Sequence, residues 1–507
     1  MDVELWADEG AAVARVAEAA VSGQAASEVA GGDLQAREPL RAFMWRFRFN
    51  YLFGAFNGMT WLIALGAPMV LLAEALGATP AQVNLCYNFV FLLLPVQVLA
   101  TALTPYLGFK KQMQAAWGAR VLCLLVPLGI AVVGPATPAP AWMLWALIAS
   151  VFMFSLLRSL GSPVVLPWLQ AILPEGQRGR YFTTDQSVTA LVGVGILLLC
   201  AGMAEWMRGS YEAFAWQYAL AVLGGVGAWF CLRQWPDAPK PKMMRPQLIF
   251  SELPRAVRQD KPVRQILYLS VAQGIMGSSF IPLTTYYLKV EAGLTMSAIL
   301  VYSALQYTGV IAGSWALRNL LDRFGSRPFF QLSLLVGVCL DIFWLSLVLT
   351  QSALLLALVP LAYIGLGVGL SPAQAAMTRY LAQIGNYENR CVLIAGITAT
   401  AGVGNALFAY IWGLTVQGDS EGQVGLDMQR FAFYFAFGIA VRWALFYAFR
   451  FLQEERPGAA LRFSNAGLIR PIRYFASMIN LVEPERPKKR GTKGLKDRHD
   501  VEGPRRD

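Results

Sequence analysis

Histidine is nearly missing from this chain: the one copy among 507 residues is His499, in a polar stretch near the end. Imidazole relays and histidine-based metal sites are thereby excluded. Cysteine is sparse and scattered. Cys86, Cys123, Cys200, Cys231, Cys339 and Cys391 fall singly inside apolar segments, which gives neither a disulfide framework nor a metal-binding spacing. Charged residues make up 14% of the sequence, against about 25% in a soluble domain. No nucleophile, metal or nucleotide motif stands out, and the Gly365-x-Gly367-x-Gly369 run inside an apolar segment reads as close helix packing. The expectation is a protein that is not an enzyme and holds no cofactor and no metal.

What is abundant is apolar length. Hydrophobic residues make up 56% of the chain. They gather in twelve segments, near 50–73, 82–104, 118–134, 141–165, 183–206, 212–233, 265–288, 296–317, 328–350, 353–376, 391–416 and 430–452. A hydrocarbon core about 30 Å thick takes about 20 apolar residues per helix, so these segments have the length of membrane spans. The loops sort positive charge by parity. Even-to-odd loops carry Lys110, Lys111, Arg178, Arg180, Arg233, Lys240, Lys242, Arg245, Arg255, Arg258, Lys261, Arg318, Arg323, Arg327, Arg379 and Arg390, whereas odd-to-even loops carry only Arg208, Lys289 and Arg430. Because Lys and Arg near helix ends are held on the cytoplasmic side, both termini are expected there. The net charge of +11 then reflects topology and contact of the basic tail with anionic lipid headgroups, not nucleic acid.

Residues 1–49 read as a cytoplasmic amino-terminal arm without the basic start and apolar run of a signal peptide. At its end Phe43, Trp45 and Phe47 interleave with Arg46 and Arg48, the pattern of an anchor in the headgroup layer. A first six-helix bundle covers 50–233 and a second 265–453, joined by a Pro-rich cytoplasmic loop at 234–264. Residues 454–507 read as an amphipathic surface helix broken by Pro471, followed by a basic tail. The halves echo each other, as transporter repeats do. Asn57-Gly58 precedes Glu74-Ala75 much as Gln273-Gly274 precedes Glu291-Ala292, and Ser162-Pro163 is matched by Ser371-Pro372.

Between the eighth and ninth segments the chain reads Leu320-Leu321-Asp322-Arg323-Phe324-Gly325-Ser326-Arg327-Pro328. This resembles the D-R-x-G-x-R core of the loop signature of the major facilitator superfamily. The resemblance implies an all-α membrane protein of twelve transmembrane helices, arranged as two pseudo-symmetric six-helix bundles around a central cavity. The first-half loop keeps Gly108, Lys110 and Lys111 but has Pro105 and Tyr106 where the family has Asp and Arg. By the same resemblance Asp322, with Arg323, Gly325 and Arg327, forms a cytoplasmic gate by facing Arg178 and Arg180 at the start of the fifth helix. The matching lock on Arg390 is expected to be weak.

In the fourth segment Arg158-Ser159-Leu160-Gly161 is similar to the family's R-x-x-x-G element, one residue short. A charge near the bilayer centre costs at least about 2.5 kcal/mol, so Arg158 is expected to face the cavity, as a substrate or coupling group, or an internal packing partner. Asn57 and Gln273 sit at matched depth in helices one and seven, where amides either orient a solute or bridge helices. Gln374 is a weaker candidate. Helices one, four, seven and ten hold no Asp or Glu except Glu74 and Glu291 at their outer ends, which leaves Asp185 as the remaining candidate for ion coupling. Asp341 and Arg442 lie near the midpoints of helices nine and twelve, depths that suit a buried structural ion pair better than a proton relay.

The reading is a monomeric secondary active or facilitative transporter of the cell inner membrane. It moves a small polar organic solute by alternating access, with an anionic metabolite favoured and a sugar next. Its partners are the small-molecule solute and the lipid bilayer. The rivals are a lipid or pigment carrier, and a non-transporting membrane receptor or assembly factor on the same scaffold.

Overall fold

Backbone N–H and C=O groups in hydrocarbon find no water, so an apolar run of this length satisfies them internally as a helix. The computed structural model describes residues 40–134, 139–173, 178–239, 247–317, 325–383, 390–420 and 423–453. Among them, twelve helical stretches are long and apolar enough to cross a membrane: Arg48–Ala75, Pro80–Leu107, Phe109–Val133, Ala141–Leu169, Ser187–Trp206, Tyr211–Arg233, Lys261–Val290, Met296–Trp315, Arg327–Thr350, Ala353–Leu381, Leu393–Val416 and Met428–Phe451. They are numbered below as spans one to twelve. Residues 1–39 of the amino-terminal arm, and the amphipathic helix and basic tail read from the sequence, lie outside the described residues.

The two halves differ in how their matched helices are made. Span one is two helices, Arg48–Leu65 and Ala67–Ala75, meeting at Gly66. A Cβ at Gly66 would overlap the Leu62 carbonyl oxygen, and Pro68 occupies the first turn of the second piece, where its missing N–H is harmless. Span four is likewise split, with a 3₁₀ turn at Ser162–Val164 between Ala141–Gly161 and Val165–Ile172. In the second half the prolines at the corresponding places, Pro282 and Pro372, lie inside unbroken helices.

The apolar core is continuous at one end of the molecule and divided at the other. Away from the termini, Ile63, Leu72 and Phe89 of the first half share one cluster with Phe280, Trp344 and Phe435 of the second. Near the termini there are two clusters. One holds Phe43, Trp117, Trp168, Tyr181 and Trp235, and the other Val263, Phe330, Tyr380 and Phe449. The bundles therefore meet at the far face and part toward the face on which the described chain begins and ends. Two amides tie the far side: Asn84 Nδ2 donates to the Ala409 carbonyl at 2.9 Å and Asn88 Nδ2 to the Ser278 carbonyl at 3.2 Å. A short antiparallel hairpin of β1 (Gln417–Ser420) and β2 (Gln423–Leu426) joins spans eleven and twelve, and Glu291 accepts from the Leu426 N–H at 3.1 Å.

Two sequence expectations change. Phe43 is not a headgroup anchor: it is fully buried against Phe47 in the first-half cluster, and Trp45 alone of the three aromatics is exposed, with the Arg48 guanidinium 4.6 Å from its ring. The central connection is not all loop either. Gln247–Gln259 is a helix whose Leu253 lies over Gly396 of span eleven, because apolar side chains on one stripe of such a helix find cover on the adjacent bundle. The glycine run of span ten serves packing, since a Cβ at Gly367 would overlap the Gln306 carbonyl oxygen of span eight.

Asp341 and Arg442 form an ion pair, Nε to Oδ2 at 2.6 Å, with the carboxylate fully buried. Room for it comes from glycines one helical turn away on the opposite helices. A Cβ at Gly337 would lie 2.5 Å from Arg442 Nη1, and one at Gly438 would lie 2.8 Å from Asp341 Oδ2. Removing one partner leaves a buried charge alone, a loss of about 3–5 kcal/mol, whereas apolar replacement of both is often neutral. Arg442→Met is accordingly expected to lower thermal stability in detergent sharply, and Asp341→Leu combined with Arg442→Met to recover most of it. Additive losses in the double variant would remove the pair's structural role.

Candidate solute site

Span three opens with a polar-rich helix, Phe109–Cys123, whose buried positions Phe109, Gln112, Met113, Ala116, Trp117 and Arg120 recur at helical spacing. That spacing carries Arg120 into the bundle, where it is 1% exposed. Its Nη2 donates to Asn57 Oδ1 of span one, and Trp117 Nε1 donates to the same oxygen at 3.2 Å. The Arg120 guanidinium stands 4.0 Å from the Trp117 ring centroid and 5.1 Å from that of Phe154. Such stacking over aromatic faces is worth about 2 kcal/mol when desolvated.

Arg158 follows Phe154, the residue under the Arg120 guanidinium, by one helical turn on span four. It is half-buried, with its guanidinium 4.6 Å from the Trp61 ring and its Nη1 buried without a hydrogen-bond partner. Two contacts hold the spans bearing these arginines together. A Cβ at Gly161 would come 2.7 Å from Ala116 Cβ, and Gln112 Nε2 donates to the Leu160 and Ala100 carbonyls at 2.8 and 3.0 Å. On the same helix as Arg158 the buried hydroxyls of Ser155 and Ser159 have no hydrogen-bond partner, and Arg120 Nε also has none. Among the described residues neither arginine has a carboxylate partner.

Across the molecule the second half presents neutral groups. Gln273 is half-buried on span seven, beside Gly274, where a Cβ would overlap the buried, unpartnered Oδ1 of Asn405. Tyr302 and Tyr363 rings lie 5.9 Å apart. Thr284 and Thr285 of span seven and Tyr363 of span ten are buried, and Thr284 Oγ1 donates to the Phe280 carbonyl at 2.7 Å. Gln374 is exposed toward the termini end of span ten. Asp185 is half-buried near Tyr181 and packs on span one, where a Cβ at Gly54 would lie 2.7 Å from its Oδ1. It forms no ion pair with either arginine among the described residues.

Of the gate residues, Gly108 and Gly325 share the left-handed backbone, with φ of 76° and 83°, which glycine adopts without strain. Lys110 Nζ donates to the Trp235 carbonyl at 2.8 Å, Lys111 is exposed and Arg327 half-buried. Asp322 and Arg323, and the side chains of Arg178 and Arg180, lie outside the described residues, so the latch does too. The residue that sequence reasoning passed over is Arg120. The third apolar segment starts two residues before it, where an arginine passes for a charge at a helix end; its period with Gln112, Ala116 and Trp117 was the available signal.

Twelve spans in two bundles, packed at one face and parted at the other around buried polar groups, define a secondary transporter. The chain belongs to the Major Facilitator Superfamily, whose model matches residues 51–387. It is therefore a transporter and not an enzyme. No curated protein matches it in sequence. Among solved structures it is similar to a variant of the nucleoside transporter NupG (10% identity, TM-score 0.62, 80% of this chain and 98% of that one). The inward-open xylose transporter XylE from E. coli is also similar (13%, 0.59, 80% and 96%), as is a bacterial homologue of the iron transporter ferroportin in the inward-facing state (13%, 0.58, 82% and 99%).

Asn57 is the shared acceptor for two buried donors, each of which costs about 1–3 kcal/mol when left unsatisfied. Asn57→Leu is expected to lower thermal stability in detergent by that order, while Asn57→Asp, which keeps an acceptor and adds charge opposite Arg120, holds it. Gln273→Leu, at matched depth on span seven and with no hydrogen bond to lose among the described residues, serves as the matched control. Equal melting of Asn57→Leu and wild type would take Asn57 out of the arginine's support.

Proposed function

We propose that the chain carries a small anionic organic solute across the cell inner membrane as a monomer, with both termini in the cytoplasm. The observation that supports this is the pair of guanidiniums, Arg120 and Arg158, held in the first bundle without a carboxylate. A buried charge is tolerated when paired, and intramembrane arginines otherwise mark solute paths. An anion entering between the bundles supplies the missing charge. With the termini inside, the parted face opens to the cytoplasm, an inward-facing arrangement like that named for two of the similar structures. Rocking of the bundles about the site then alternates access, and closure of the cytoplasmic side falls to Asp322 with Arg178 and Arg180. Among the described residues Asp185 is the candidate carboxylate for coupling an ion.

A neutral sugar is the second reading, supported by the tyrosine and threonine wall of the second half. Hydroxyl-rich walls of that kind bind hydroxyls without charge. Under the favoured reading the wall holds the uncharged body of the solute.

Flux into proteoliposomes separates the readings. Arg158→Gln is expected to lose most anion flux while inserting and folding normally, since Arg158 makes no ion pair whose loss would destabilise the bundle. Wild-type flux after Arg158→Gln would reduce Arg158 to a packing residue. Topology has its own check. In a cysteine-free background, Ser420→Cys is expected to label from the periplasm and Gln247→Cys from the cytoplasm; labelling of both from one face would overturn the orientation.

A further inference from the structure

Resting on the anion reading, we infer that the site selects a solute carrying two negative charges on several acceptor oxygens, as in a phosphate ester or a dicarboxylate. The argument is a count of charges and donors. Arg120 stacks over Phe154, one helical turn before Arg158 on span four, so the two cations stand on adjoining turns of packed spans, and no carboxylate pairs with either among the described residues. A monoanion offsets one of them and leaves the other facing a neutral complex. A second unit of opposite charge gains more in a poorly screened interior than it would in water.

Hydrogen bonding points the same way. Arg120 Nε, Arg158 Nη1 and the hydroxyls of Ser155 and Ser159 are buried without partners. The one side-chain acceptor bonded to the pair, Asn57 Oδ1, already receives two bonds. Both guanidiniums keep unused donors, and an oxyanion with three or four oxygens is their complement. The arginines divide the work. Arg158, half-buried, is the one that meets the solute; Arg120, enclosed by Trp117, Phe154 and Asn57, acts through its field from behind. Both stand in the first bundle, so a dianion stays with that bundle while the second closes over its neutral end.

The test separates charge from shape. Sulfate and perchlorate are tetrahedral oxyanions of similar size and different charge, small enough to enter any solute site. Thermal stability of the purified full chain is titrated with each at constant ionic strength. Wild type is expected to half-saturate with sulfate at a concentration at least about tenfold lower than with perchlorate. In Arg120→Gln and in Arg158→Gln the preference is expected to fall to about threefold or less, as one guanidinium remains. Comparison with the variants cancels the general effect of each salt on protein surfaces, and the wild-type ratio stands even where a variant does not fold. Equal half-saturation in wild type overturns the dianion inference and leaves the anion carrier in place. Saturable stabilisation by xylose but by neither anion overturns both.

Discussion

Holding a charge away from water is the expense around which this molecule is organised, and it is met in two ways. On spans nine and twelve the charge is neutralised internally, Asp341 against Arg442, with Gly337 and Gly438 cleared of side chains so that the pair fits. On spans three and four it is not. Arg120 and Arg158 are supported by aromatic faces and by Asn57, which orient and partly solvate a guanidinium but cannot discharge it. Among the described residues the second half pairs its buried charge internally, whereas the first leaves its two guanidiniums without a carboxylate.

That asymmetry extends to the backbone. Spans one to four are all interrupted, among them span one at Gly66 and span four at Ser162–Val164, while spans seven and ten run through Pro282 and Pro372 unbroken. Broken helices in transporters occur where the backbone borders a site.

Much of this was legible in the chain. Apolar length and loop charge are one-dimensional quantities, so twelve spans in two halves could be counted directly, and the depth of Asp341 and Arg442 follows from rise per residue. What escaped depended on the third dimension. Phe43 looks like any aromatic beside arginine until Tyr181, sharing its cluster, covers that end of the bundle. The connector's helix is anchored by a contact between Leu253 and a glycine 143 positions away along the sequence. Arg120 was hidden by a boundary: a window tuned to apolar runs starts too late to show that the polar residues before it share its face.

The continuous core at the far face has a thermodynamic side. The bundles meet there through Leu72, Phe89, Phe280 and their neighbours, with few polar ties, so opening that face wets apolar surface. Wetting of this kind raises the heat capacity, and its free-energy penalty shrinks on cooling. The balance between the two open states is thus curved in temperature, and cold favours the one in which the far face comes apart.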